Sequence, residues 1–476
     1  MYKRQEFTSR GTGSETATSF NAEVTPQTGV SQSVHTTALR ATAEKGSKAV
    51  PYNLSNSTGA ADVENTANCY VVNAPGTYSF PLVYGNAINN GQVNYAAYTS
   101  KASIQGTLNP FINHLGNGIT DPYIAKNTDC VPVKAELVWQ DAPSLVTDIK
   151  YNSGTNGGTI SFKVDKENIR QGNALIAIKD SQNTILWSWH IWITDENIYH
   201  TIKVTNHQNV SHDLMPIHLG WCEGEVINYA ARSCQVQFIA HGQTRLITVN
   251  QMRSTTSTQG NCTFYEWGRK DPLRPSSGYA YKNKTWYNAA GIASTANHAV
   301  ESFPFGNECI KNYIRKPDVM QKEIGGDNTY FNLWNADNNT NSNVYNDNPV
   351  TKTVYDPCPV GFAMPPSNTF TGFTTTGENV TNTVAKYNGE WNSSLPGWNF
   401  YCGPNKTGGT IFFPMTGERI SSGGHLSAVG SLGHTWSATS THSNYAHNLT
   451  LYTNYWVWPL DRFSKSAGHG VRPCLE

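Results

Sequence analysis

The run TILWSWHIWITD, Thr184 to Asp195, constrains the fold more than any other stretch of the chain. Strict alternation puts Ile185, Trp187, Trp189, Ile191 and Ile193 on one face of an extended segment. Side chains of that bulk and β-branching at period two are what a packed strand offers, so a central strand of a β-sheet is expected here. A sugar groove built from Trp187, Trp189, Trp192 and His190 is the competing reading, and core is the stronger of the two.

Other strand-length runs surround it. Ala135 to Asp141, Gly158 to Val164 and Asn173 to Asp180 are each bounded by turn residues, and a comparable text starts at Ala67. Short strands with turns between them predict an all-β sandwich over 65–196. Residues 1–64 are rich in Ser, Thr, Gly and Ala with little periodicity, and read as a linker or the remnant of an upstream segment. The first residues, MYKRQ, resemble translated sequencing-adaptor text, so the chain reads as beginning partway through a longer protein. From 197 to 476 irregular runs separated by long Asn/Thr/Gly stretches predict a loop-rich α+β domain. The fold expected is therefore mainly β with an α+β second half.

Charge narrows the partners. Lys plus Arg and Asp plus Glu both total 34, and no basic stripe is present, which argues against nucleic acid. No apolar run approaches the roughly 18 residues of a membrane-spanning helix. The nine cysteines show neither C-x-x-C nor a zinc-type Cys/His quartet, so no metal is expected. Scattered as they are, they read as a few disulfides of an oxidising compartment with one thiol left over; the rival reading is buried free thiols.

Catalytic signatures are missing: no G-x-S-x-G, H-E-x-x-H, Walker loop, G-x-G-x-x-G or EF-hand occurs, and no cofactor is expected. The oxygen-rich DNNTNSNVYNDN from Asp337 lacks the Gly and Glu of a calcium loop. Glu223, Glu225, Glu266 and Asp271 could supply paired carboxylates for glycoside hydrolysis, but in YEWGRKDP salt bridges of Glu266 and Asp271 to Arg269 and Lys270 are the simpler account.

The segments ENTANCYVVNAPGTYSFPLVYGNA, LVWQD, ILWSWHIWITD, YEWGRKDP, YDPCPVGFAMP, WSA and GVRP, spread over roughly 60–476, resemble surface and fimbrillin-associated proteins of Gram-negative gut anaerobes. The second half is similar to the bacterial "major paralogous" domain. That resemblance implies an Ig-like β-sandwich followed by a C-type-lectin-like domain, displayed outside the cell or on the outer membrane, with any membrane attachment through a preceding segment. It also implies a disulfide between Cys358 and Cys474, with Cys69–Cys130 and Cys222–Cys234 as further pairs.

The closing segment WVWPLDRFSKSAGHGVRP keeps Val457, Pro459, Gly468, Val471, Arg472 and Pro473 of the family frame and replaces its asparagines. In this it resembles the variable proteins of diversity-generating retroelements; a fixed adhesive face and plain core packing are the other readings of the segment. The implied ligand face comprises Tyr445, His447, Tyr452, Tyr455, Trp456, Trp458, Asp461, Arg462, Phe463 and His469, exposed together and contacting a surface protein or glycan. An adhesin is the leading reading of function; a glycan-acting enzyme or a purely structural surface protein are the alternatives.

Overall fold

The computed structural model describes residues 24, 29–31, 33–100, 105–224, 226–240, 242–257, 259–278, 281–322, 330–338, 344–441, 444–453 and 455–476. The chain is mainly β, with two α-helices among these residues. None of the described helices is long and apolar enough to cross a membrane. Two compact units form, 1–32 with 225–257 and 33–224 with 258–476. In the smaller, Val226–Tyr229 pairs with Val30–Ser31 and Ser254–Ser257, and Arg232–Ala240 forms a regular antiparallel hairpin with Gln243–Gln251.

The larger unit overturns the expected boundary at 196/197. One hydrophobic core extends from Leu39 through the tryptophans of the central strand to Trp436 and Val471. Trp286–Tyr287 joins the sheet of the first half through Tyr287 and Gln140, and the helix Asn307–Arg315 packs against the central strand. Residues 33–64, expected as linker, also belong to this unit. Ser33 caps the helix Val34–Ala41 by accepting from the Thr36 amide, Leu39 of that helix is buried, and Tyr52–Asn53 runs parallel to Gly76–Pro81.

The predicted strands form within two residues of their expected ends: Lys134–Gln140, Thr159–Val164, Gly172–Lys179 and Ile185–Ile193. The last is central, antiparallel to Gly172–Lys179 and parallel to Cys69–Val72. Both of its faces are covered, not one. Trp189 packs on Phe80 of the opposing sheet at 5.0 Å, and Tyr84 meets Trp187 edge-on. On the other face His190 bonds Asn173 and Tyr265, and Trp192 donates to the Trp221 carbonyl. The groove reading of Trp187, Trp189, Trp192 and His190 therefore fails, because all four are fully buried.

The motifs behind the family resemblance are the joints of this core. In YEWGRKDP, Glu266 is ion-paired with Arg269, whose guanidinium also donates to the Lys316 and Val319 carbonyls just past the helix Asn307–Arg315. Lys270 bridges the Asp271 carboxylate to Ser188 of the central strand. Trp267 donates to the Ser437 carbonyl and Trp436 to that of Tyr265, tying YEWG to WSA in both directions. Asp356 of DPCP accepts from the Cys358 and Met364 amides, and Arg472 of GVRP donates to the Met215 and Phe412 carbonyls. Each buried charge thus meets a partner, without which its desolvation would be uncompensated.

The disulfide expectations are corrected, since all nine cysteines are free thiols. Cys474 lies opposite Leu214 and Ala363, and Cys358 sits beside the bridge between Pro359 and Cys69. Cys130 takes Asn113 and Tyr84 as hydrogen-bond partners, and Cys222 accepts from Asn173. Cys234 is exposed on the hairpin of the smaller unit. Buried-joint hydrogen bonds do the tying that cross-links were expected to do. Thiol titration is expected to find nine groups in denaturant; in the native chain exposed Cys234 reacts fastest, partly buried Cys402 next, and the seven buried thiols slowest. Fewer than nine in denaturant without reductant would restore the disulfides.

Candidate ligand-binding face

The closing strand Trp456–Ser464 lies in a five-stranded sheet between Val380–Thr381 and Tyr445–Tyr452, followed by Leu432–Ser440 and Gly470–Val471. Alternation along it is strict at first. Val457 and Pro459 are buried while Trp456, Trp458 and Leu460 are only partly so. Leu449, Leu451 and Val457 point inward onto a second core with Phe373, Trp398, Phe400 and Phe413. The outward set is thereby left on the opposite side of the sheet.

That outward set is an aromatic ladder. Tyr452 and Trp456 are direct cross-strand partners with ring centroids 4.8 Å apart, and Trp456 stacks on Trp458 at 4.6 Å with planes 5° apart. Tyr455 continues the row at 6.1 Å from Tyr452 and is 49% exposed. None of the four belongs to a hydrophobic core among the described residues. The row is held from behind: Trp458 Nε1 donates to Thr381 Oγ1 at 3.0 Å, and the Tyr455 carbonyl accepts from the Tyr387 hydroxyl and the Asn382 amide. Rings fixed this way lose little further entropy when a ligand binds.

Beyond Trp458 the expected face breaks up. The register slips by one residue between the pairs Thr450–Trp458 and Asn448–Asp461. Tyr445 and Arg462 remain exposed, and Asp461 is half-buried, accepting from Thr450 Oγ1 at 2.6 Å. Burial raises the Asp461 carboxyl above its ordinary range. His447, Phe463 and His469 are not on the face, which corrects their assignment. His447 is buried under Tyr345 at 3.8 Å, Phe463 packs against the core, and His469 is fully buried. These residues turn inward because the slipped register and the loop after Ser464 feed the closing segment back into the core.

Sequence reasoning missed a cluster beneath this sheet. His469 is stacked between Trp436, at 4.2 Å, and His434, at 4.3 Å, and its Nε2 lies 3.7 Å from Glu418 Oε2. Burial drives the His469 pKa well below its usual value and lowers that of His434 to about 3, so both rings are neutral. Their positions, 418, 434 and 469, follow no ligand spacing, and no sequence signal marks them.

The carboxylates considered for catalysis are engaged elsewhere. Glu266 and Asp271 sit in buried ion pairs, Glu223 accepts from Trp221 Nε1, and Glu225 lies outside the described residues. A cleft of about 300 Å³ lined by Lys45, Tyr52, Asp195, Glu196 and Tyr199 brings two acids together, but His35 and Gln171 both bond the Asp195 carboxylate. In the oxygen-rich stretch, Asp337 accepts from Thr351 and Asp347 from Asn206, His212 and Asn368; residues 339–343 lie outside the described residues. The chain matches no protein-family model, no curated protein and no solved structure.

Proposed function

We propose that the chain is a ligand-binding protein of the bacterial cell surface, an adhesin whose contact face is the ladder Tyr452, Tyr455, Trp456 and Trp458. The observation that carries the reading is the Trp456–Trp458 stack, parallel to 5° and outside the hydrophobic cores. Large aromatic rings held outside a core have no role in packing it, and they are the residue types that dominate binding energy in interfaces. Tyr445 and Arg462, exposed further along the same two strands, extend the face with a polar end. The ligand is a surface protein or glycan offering apolar ring or side-chain faces.

The resemblance to C-type-lectin-like heads is supported by the closing topology, in which Cys474–Leu475 returns beside Ser211–Leu214 and Gly470–Val471 beside Leu432–Ser440. Diversification of the closing segment is supported by the split between inward Val457 and Pro459 and outward Trp456 and Trp458, because the outward positions can change without disturbing the frame. Free thiols remove the cysteine argument for an oxidising compartment, so surface display rests on the family resemblance.

The test pairs binding with stability. On a printed array of glycans and extracellular-matrix proteins, the double variant Trp456→Ala/Trp458→Ala is expected to lose at least about tenfold in binding signal, the effect of removing a hot spot. Its melting temperature should fall by no more than about 3 °C, since the pair lies outside the core. Retained binding would place the contact face elsewhere, and collapse of the fold would make the ladder a packing element.

A further inference from the structure

We propose that Glu418, His434 and His469 form a binding site for one divalent transition-metal ion, with zinc the ion that suits them best. One donor atom from each residue lies within 4.8 Å of the other two. In a tetrahedral zinc site with bonds of about 2.0–2.1 Å, donors stand roughly 3.4 Å apart. The 3.7 Å between His469 Nε2 and Glu418 Oε2 is already close to that edge.

The decisive observation is the unused nitrogens. His434 Nε2 and both nitrogens of His469 have no hydrogen-bond partner, although the two residues are 2% and 0% exposed. Leaving three such atoms unpaired in a core is costly, and few survive in folded proteins without a function or a bound ion. A metal ion satisfies one nitrogen of each ring at once.

The surroundings also set the tautomer. The Thr450 hydroxyl donates to Asp461 at 2.6 Å, so its oxygen accepts from His434 Nδ1, 3.0 Å away. Asn448 Nδ2 is 3.3 Å from the same nitrogen, and also donates to Thr450 Oγ1 and the Leu449 carbonyl. With the proton on Nδ1, His434 Nε2 carries a bare lone pair and is the atom this residue has to offer an ion. Such an outer bond from the second ring nitrogen to a polar partner is the usual support of a metal-ligating histidine. The rings now lie 14° from parallel, so ligation turns His469 about its broad χ2 torsion, and no hydrogen bond is lost in the turn. Glu418, whose side chain is 13% exposed, is the side from which an ion and a fourth, water ligand enter.

Two imidazoles and a carboxylate suit zinc, and cobalt(II) reports such a site by its visible spectrum. The whole chain, stripped with chelator and kept reduced, is titrated with cobalt(II) and then with zinc. One equivalent of cobalt is expected, with visible bands, no thiolate charge-transfer band in the near ultraviolet, and displacement by zinc. Glu418→Gln, which keeps the side chain's size and shape, should weaken binding at least about tenfold while shifting the melting temperature of the metal-free chain by no more than about 3 °C. His469→Gln should abolish binding, and His434→Gln serves in its place if that variant does not fold. Absence of stoichiometric binding, a thiolate band, or affinity unchanged in Glu418→Gln would each overturn the proposal.

Discussion

Taken from pH 7 to pH 5, the metal-free chain is expected to lose most of its stability. His114, His190, His218, His298, His434 and His469 are all at least nine-tenths buried, and burial lowers the pKa of each. His114 falls to about 4 and His190 and His434 to about 3, whereas in the unfolded chain each titrates near 6.5. Between those limits the unfolded state binds more protons, so stability is complete above about pH 6.5 and declines as the pH falls. Each histidine costs up to about 1.4 kcal/mol per pH unit in that window. Glu196, Asp356 and Asp461 act in the opposite sense, because burial raises their pKa and the native state takes up the proton first. Those three carboxyls offset part of the loss from six histidines, and a net loss of several kcal/mol, comparable to the typical total of about 5–15 kcal/mol, is expected over the two pH units. Urea midpoints at pH 7, 6 and 5, read by tryptophan emission, check this. Equal midpoints would mean that the native imidazoles reach water.

The largest effect of a single substitution is expected at Lys270. Its ammonium is buried between both oxygens of Asp271, the carbonyl and hydroxyl of Ser188, and the face of Trp187 at 4.4 Å. Lys270→Ala leaves the Asp271 carboxylate and the central strand's Ser188 without their cation. Removing one member of a buried pair costs about 3–5 kcal/mol, mostly as the penalty of the charge left behind. Lys270→Ala/Asp271→Ala should therefore cost less than the two single variants summed. A loss below about 1 kcal/mol for Lys270→Ala would mean that water replaces the lysine and that the joint is open.

The ion pairs of YEWGRKDP were legible, because four charges within six residues neutralise one another locally. So were the strands, whose period-two pattern and turn boundaries are local properties. The inward and outward halves of the closing strand were legible as far as Trp458 for the same reason. What lay beyond was decided by contacts distant in sequence. Both faces of Ile185–Ile193 are buried because Trp221 and Tyr265, distant in sequence, cover the second one, which no alternation reveals. The boundary at 196/197 failed because Trp286–Tyr287 and the helix Asn307–Arg315 complete the first half. His469 was taken as exposed on chemical variety alone, yet Trp436 and His434 enclose it. The helix Val34–Ala41 was hidden in a Ser/Thr-rich text whose one strong signal was the cap at Ser33.

The claim that the outward side of the closing strand is the contact face can be tested directly by hydroxyl-radical footprinting. The chain is labelled free and then bound to the array component that captures it, and oxidation is read at single tryptophans and tyrosines. Tyr455, Trp456 and Trp458 are expected to be labelled in the free chain and protected by at least about fivefold when bound, as buried hot-spot residues become shielded from water. Trp139, Trp187, Trp189 and Trp192 should stay unlabelled in both states, because they are fully buried. Labelling of Trp456 and Trp458 that is unchanged by binding, or absent from the free chain, would contradict the account.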